Sequence, residues 1–209
     1  MTRIRQLIST YSELSVCTSD IEAAFELLRD CYRGGGKVLV CGNGGSAADS
    51  EHIVGELMKG YLLKRPVPEN VHTKLLAASP EDGHYLADHL QGALPAISLG
   101  SQTSLFSAIA NDTAADMVFA QQVYGYGREG DVLIGLSTSG NSRNVIQALQ
   151  VARALGIHTV ALTGPTGGRM KRLCEVCICV PGENTSAVQE RHLPIYHVLC
   201  AMLEEEFFG

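Results

Sequence analysis

Val38-Leu-Val-Cys-Gly-Asn-Gly-Gly-Ser46 and Val132-Leu-Ile-Gly-Leu-Ser-Thr-Ser-Gly-Asn-Ser142 decide the fold. In each, an apolar run breaks into small residues rich in hydroxyls and amides, then opens a helix-like pattern. A parallel sheet presents anion-binding loops at its C-terminal edge in this way: the strand ends, the chain turns tightly, and a helix N-terminus follows. Two such loops in a chain of 209 residues point to a phosphorylated small molecule.

Working outward, strands alternate with helices. Residues 3–15 and 20–33 read as helices. Ser19 and Asp20 can cap the second, whose apolar face is Ile21, Ala24, Leu27, Leu28 and Cys31. Gly34 to Gly36 end it, and Lys37 to Cys41 form the first strand. A helix from Ser46 to about Tyr61 follows. Next come a strand at Ala96 to Leu99, helices near 101–110 and 116–126, and a strand from Val132 to Leu136. The series closes with a helix at 142–154, a strand at 158–163, a short helix near 168–173, a strand at 176–180 and a helix from Ser186 to Phe207.

This order predicts an α/β fold, a three-layer open parallel sheet flanked by helices, with an N-terminal helical extension over residues 1–33. Those first helices have no crossover duty, so they either pack against a partner subunit or cover one face. No low-complexity linker divides the chain, and residues 1–209 read as one unit. The exception is 66–95, which holds prolines and the segment Glu81-Asp-Gly-His84. It is longer than an ordinary connection and reads as a lid, an interface flap or a short helical insert.

A formal net charge of -6 argues against a general nucleic-acid binder, which needs a basic face. Seven cysteines are an odd count, scattered or set inside apolar runs, and no secretory signal or long apolar span is evident. A cytoplasmic protein with reduced thiols, away from the membrane, is the expectation. Cys174, Cys177 and Cys179 can suggest a metal knuckle. However, Cys177 and Cys179 alternate with Val176, Ile178 and Val180 as in a strand, and the structural reading is preferred.

In Gly42-Asn-Gly-Gly-Ser46 the glycines let backbone amides of Asn43 and Gly44 approach an anion, and Ser46 can cap the next helix or donate to phosphate. The spacing is neither a dinucleotide fingerprint nor a P-loop, so no nucleotide cofactor is expected. Ser137, Thr138, Ser139 and Ser142 supply four hydroxyls around Gly140, enough to satisfy a phosphomonoester without a buried lysine. The alternative is an ordinary capping turn.

His52 and Glu56 share a helix face at i, i+4, while Glu51 points elsewhere. On the last helix Gln189, His192 and His197 interrupt apolar residues, and eight residues bring Gln189 and His197 back towards the same side. Facing one another, these groups would make an acid–base pair or an N/O metal site. The competing reading is a surface ion pair and core or interface histidines.

With both loops and both helices in hand, the chain resembles the sedoheptulose 7-phosphate (phosphoheptose) isomerases of the sugar-isomerase (SIS) domain class. The matching stretches are Cys41-Gly-Asn-Gly-Gly-Ser-Ala-Ala-Asp49, His52 through Glu56-Leu57, Asn111-Asp112, Gly127-Arg-Glu-Gly-Asp-Val-Leu-Ile134, Ser137 to Ser142, Asn144-Val145, Ala161-Leu-Thr-Gly164, and Gln189-Glu190 with His192 and His197. The resemblance implies a five-stranded parallel sheet and four subunits with sites at their boundaries. It implies aldose–ketose isomerisation of a sugar phosphate through an enediol-like intermediate, with Glu56 as base, His197 as acid and Asp112 as an active-site carboxylate. Asn43, Gly44, Ser46, Ser137, Thr138, Ser139, Ser142 and Gln189 match substrate and phosphate ligands. His52, Glu56, Gln189 and His197 match the set that binds zinc in some members. Other sugar phosphates, or a non-catalytic binding or scaffolding role, are the alternatives. Two departures stand out: Met58-Lys-Gly-Tyr61 puts Gly60 where the family has arginine, leaving Lys59 or Lys64 as nearby cations, and the 66–95 connection is long.

Overall fold

The computed structural model describes residues 2–209. Five strands form one parallel sheet: β1 (Val38–Cys41), β2 (Ala96–Ser98), β3 (Val132–Ser137), β4 (His158–Thr163) and β5 (Val176–Cys179), in the order β2-β1-β3-β4-β5. Val38 sits beside both Ala96 and Val132, so β1 is central between its successor and β3. The chain therefore leaves β1 in one direction and β3 in the other. In this topology the crevice beyond the C-terminal ends of β1 and β3 is where ligands bind.

Alternate strand residues feed two cores. Val38, Val40, Ile134, Leu136, Val160 and Ile178 face one layer, which is built from α1 (Thr2–Thr10), α2 (Thr18–Arg33), α3 (Gly45–Met58) and α9 (Thr185–Phe208). Leu39, Cys41, Leu133 and Ala161 face the other, formed by α6 (Thr103–Ile109), α7 (Val118–Tyr126) and α8 (Arg143–Ala154). Period-two burial on both faces is what a covered parallel sheet requires. Cys177 and Cys179 follow it, alternating with buried Val176 and Ile178, and all seven cysteines are free thiols.

The N-terminal helices cover one face: Ile4, Leu7, Ile21, Ala24 and Leu28 join the first core against α9. The first helix ends at Thr10, short of the expected residue 15, and gives way to a 3-10 turn over Ser12–Cys17. Ser19 and Asp20 do not cap α2; they lie inside its first turn, which Thr18 opens.

Residues 66–95 fold as a helical hairpin of α4 (Glu69–Ala78) and α5 (Gly83–His89). An antiparallel bridge between Pro66 and Gln91 closes its base. The segment is thus helical, its two helices packing against each other.

Candidate functional site

The two loops lie at the β1/β3 crevice and are tied together. Asn43 Nδ2 donates to Asn144 Oδ1 at 3.0 Å, and Asn144 Nδ2 returns a bond to Asn43 Oδ1 at 2.8 Å. In the first loop Gly44 has φ +55° and ψ -123°, a conformation that a side chain would forbid. In the second, Ser137 Oγ lies 2.9 Å from Ser142 Oγ and 3.5 Å from Ser139 Oγ, so three of the four hydroxyls form one cluster. Ser137 is buried as the last residue of β3, whereas Ser139 is exposed, which stretches the cluster from the sheet edge to solvent. Thr138 directs its carbonyl to Gly164 N.

Ser46 differs from expectation. It neither caps α3, whose N-cap is Gly44, nor lies open: it is buried in the first turn beneath Gly42, where a Cβ would meet Ser46 Cβ at 2.7 Å. Gln189 reaches the first loop instead. Its amide is so close that a Cβ on Gly45 would stand 2.3 Å from Gln189 Nε2. A cavity of about 290 Å³ opens alongside, lined by Gly42, Asn43, Gly44, Ala47, Thr103 and Phe106.

The helices α3 and α9 bring His52, Glu56 and His197 together. His52 Nε2 is 3.2 Å from Glu56 Oε1 and 3.4 Å from His197 Nε2. Two residues absent from the sequence expectations set this up. Tyr196 Oη lies 3.2 Å from Asp49 Oδ1 and 3.1 Å from His52 Nδ1. A phenol that donates to the carboxylate can accept from the imidazole Nδ1, which anchors the His52 ring with Nε2 turned towards Glu56 and His197. The clue in sequence was a tyrosine beside His197 in an apolar helix, since a buried phenol needs a partner. Burial raises Asp49 above the usual carboxylate range against the bond from Tyr196 and the charge of His52. Burial first, and His52 second, push His197 below the usual imidazole value, while Glu56 opposes them.

His52 Nε2 faces both Glu56 Oε1 and His197 Nε2, an arrangement that a shared proton or a metal would satisfy. The separations of 3.2 and 3.4 Å also match the edges of a zinc tetrahedron, about 3.3–3.4 Å for ligands at about 2.0–2.1 Å. The donor types therefore fit zinc in chemistry, and the two edges that share His52 fit it in spacing. Glu56 and His197 approach His52 from two sides without closing a three-ligand ring among the described residues. Gln189 makes no hydrogen bond to any of the three; it belongs to the loop end of the site. Glu56 Oε2 is buried with no hydrogen-bond partner, and the nearest cation is Lys59 Nζ at 3.7 Å. Lys59 thus places a charge beside Glu56, as one of the two expected cations.

Asp112 is not gathered in. It stands exposed on a single π-helical turn, Ala110–Ala114, and among the described residues its carboxylate accepts only from Asn111 Nδ2, at 2.7 Å. Glu51, as expected, points away and accepts from Ser101 Oγ. His192 lies in the core with neither ring nitrogen hydrogen-bonded, and burial pushes it down to about 4. The Thr163 backbone opposes that shift without making a bond of good geometry. On its other flank His197 borders a cavity of about 310 Å³, walled by Arg3, Gln6 and Thr10 of α1 and by Tyr61 and Leu62.

Comparison with known proteins agrees with this layout. The SIS domain family model matches residues 3–84 and 86–164. The phosphoheptose isomerase of Akkermansia muciniphila is 39% identical over 207 residues, covering 99% of this chain and 96% of its own. That of a Geobacter species is 42% identical over 188 residues, covering 90% and 84%. The solved phosphoheptose isomerase of Neisseria gonorrhoeae is 32% identical with a TM-score of 0.73, covering 97% of this chain and 96% of its own. Matching loops, matching sheet and near-complete coverage lead to one conclusion: the chain belongs to the phosphoheptose isomerase family of SIS-domain proteins.

Proposed function

We infer that this chain is a phosphosugar isomerase interconverting an aldose and a ketose phosphate, with sedoheptulose 7-phosphate and D-glycero-D-manno-heptose 7-phosphate as the pair. One observation carries the reading: Glu56 Oε2 is buried without a hydrogen-bond partner and shares its corner with a partly buried His197. A carboxylate oxygen free of other bonds can take the proton next to a carbonyl and return it to the neighbouring carbon, through an enediol-like intermediate. His197, held neutral by burial and by His52, exchanges the proton on the sugar oxygen. The hydroxyls of Ser137, Thr138, Ser139 and Ser142, with the amides of Asn43 and Gly44, hold the phosphate.

His52, Glu56 and His197 are the residues that would hold zinc, which when bound would polarise the carbonyl, while Gln189 stands at the loop end of the site. One of Glu56 and His197 must then stay free to exchange protons. Two exposed apolar residues, Tyr11 and Leu62, line the cavity next to His197. They support assembly as a homotetramer with sites near subunit boundaries. Free thiols throughout, and no helix among the described residues long and apolar enough to cross a membrane, support work in the cytoplasm.

The test is turnover and solvent deuterium uptake with sedoheptulose 7-phosphate and a panel of shorter sugar phosphates, with and without zinc. Glu56→Gln should lose turnover and exchange together, by about 10²–10⁴-fold, while still binding the phosphate. No exchange across the panel, or an undiminished Glu56→Gln enzyme, overturns the reading. The 66–95 hairpin favours a second reading, a different sugar phosphate, because Gln91 rests on Gly60 at the end of the helix bearing Glu56. The same panel separates the two.

A further inference from the structure

Glu56 and His197 stand on different helices, so their work depends on how α3 and α9 are held together. A misplacement of about 1 Å at a reacting centre can cost on the order of 100-fold in rate. Beyond the end of α3 lies an ion pair that the acid–base chemistry does not use. Arg65 and Glu204 have side chains 0% and 1% exposed, and Arg65 Nε donates to Glu204 Oε1 at 2.8 Å. The rest of the guanidinium turns to α3: Nη1 donates to the Leu57 carbonyl at 2.8 Å and Nη2 to the carbonyl of Glu56 itself at 3.0 Å. Phe208 covers it, with its ring centroid 4.7 Å from Arg65 Cζ.

The Glu204 carboxylate is equally committed. It accepts from the amides of Tyr61 at 2.7 Å, Leu62 at 2.6 Å and Leu63 at 3.0 Å, besides Arg65. Burial pushes this carboxyl up, yet those amides and the guanidinium outweigh it and hold it below the usual range. The strap so anchored carries Tyr61, whose ring lies over His197 with centroids 5.6 Å apart. Glu204 stands seven residues after His197 on α9, two helical turns along the same side.

We propose that Arg65 and Glu204 are positioning residues that set the placement of Glu56 against His197, resting on the isomerase reading of that pair. Arg65 fixes the backbone of Glu56, Glu204 fixes the strap over His197, and the bond between them locks one to the other. Stability alone does not account for such a pair: a buried ion pair is often no better than well-packed apolar residues of the same volume. What apolar residues cannot do is fix three amides and two carbonyls in one arrangement.

The experiment compares R65M/E204L, R65K and the wild type in urea stability, kcat, KM and amide exchange at Tyr61 to Leu63, with the ring resonances of His197 as reporter. R65M/E204L should stay folded, lose about 10–100-fold in kcat with KM within twofold, lose protection at the three amides, and shift the His197 resonances towards those of Tyr61→Ala. R65K keeps the charge but not the fork that reaches both carbonyls; it should lose kcat in the same direction, and it carries the test if the double variant does not fold. A folded variant with wild-type kcat and unmoved His197 resonances overturns the proposal. If the wild type shows no isomerase activity, the isomerase reading fails. Amide protection and the His197 resonances then still decide whether the pair places the strap.

Discussion

Gly60 departs from the family pattern for a local steric reason. Its amide donates to Gln91 Oε1 at 2.6 Å, and a Cβ there would stand 2.5 Å from that oxygen and 2.6 Å from the Leu63 carbonyl. The first atom ends a flexible side chain and can move; the second is backbone in the strap held by Glu204 and cannot. A side chain at this position, the family's arginine included, is therefore excluded by the backbone of the strap. Gly60→Ala should destabilise the fold by about 1–3 kcal/mol, the range for overpacking, read as a lower urea midpoint at unchanged slope. His192 makes a second prediction. Its folded value of about 4 lies below the ordinary 6.5, so between these values the unfolded chain binds the extra proton. Stability that is fully present above about pH 6.5 is then lost as the pH falls towards 4, to an extent of about 3 kcal/mol. Urea titrations from pH 7 to pH 4 should show that loss in the wild type, and a smaller loss in His192→Leu.

The hairpin of α4 and α5 can be judged as an element. Neither hydrophobic core takes a residue from 62–93, and α4 buries none of its own. Replacing residues 69–89 with a short turn should leave the stability within about 1 kcal/mol of the wild type, because little apolar burial is lost and the closing loop becomes shorter. The sugar-phosphate panel, run on the same variant, should change in preference. A collapse of the urea midpoint would show that the hairpin supports the core after all. The strands were legible from sequence because each is a short apolar run bounded by glycine or charge, and β4 falls at 158–163 as read. The hairpin was not, because Pro66, Pro68 and Pro80 suggest broken chain. In the structure they stand outside the helices, ahead of α4 and α5, where proline is tolerated. His52 with Glu56 was legible because four residues make one helical turn. Arg65 with Glu204 was not: 139 positions separate them, and each reads alone as an ordinary surface charge.

For the whole molecule, the N-terminal helices serve the second of the two purposes weighed for them from sequence, that of covering a face. They cover one face of the sheet, through Ile4, Leu7 and Ile21, and α1 also walls the cavity next to His197. That cavity has an apolar rim: Tyr11 is 39% exposed and Leu62 49%. Single exposed apolar residues are normal on any surface; two on one cavity that contains a candidate proton-transfer residue form a patch that a second copy would cover. Such burial would also remove water from the flank of His197, where charge interactions strengthen as the dielectric falls. Light scattering should accordingly give four times the 22.4 kDa chain mass at micromolar concentration. Tyr11→Glu/Leu62→Glu, which places charges on the rim without touching Glu56 or His197, should lower the mass and the turnover together. Dilution should reproduce the coupling in the wild type, with specific activity falling as the mass falls. A wild type that remains monomeric with full turnover, or a charged-rim variant that dissociates yet keeps its kcat, would show that the site is complete within one chain.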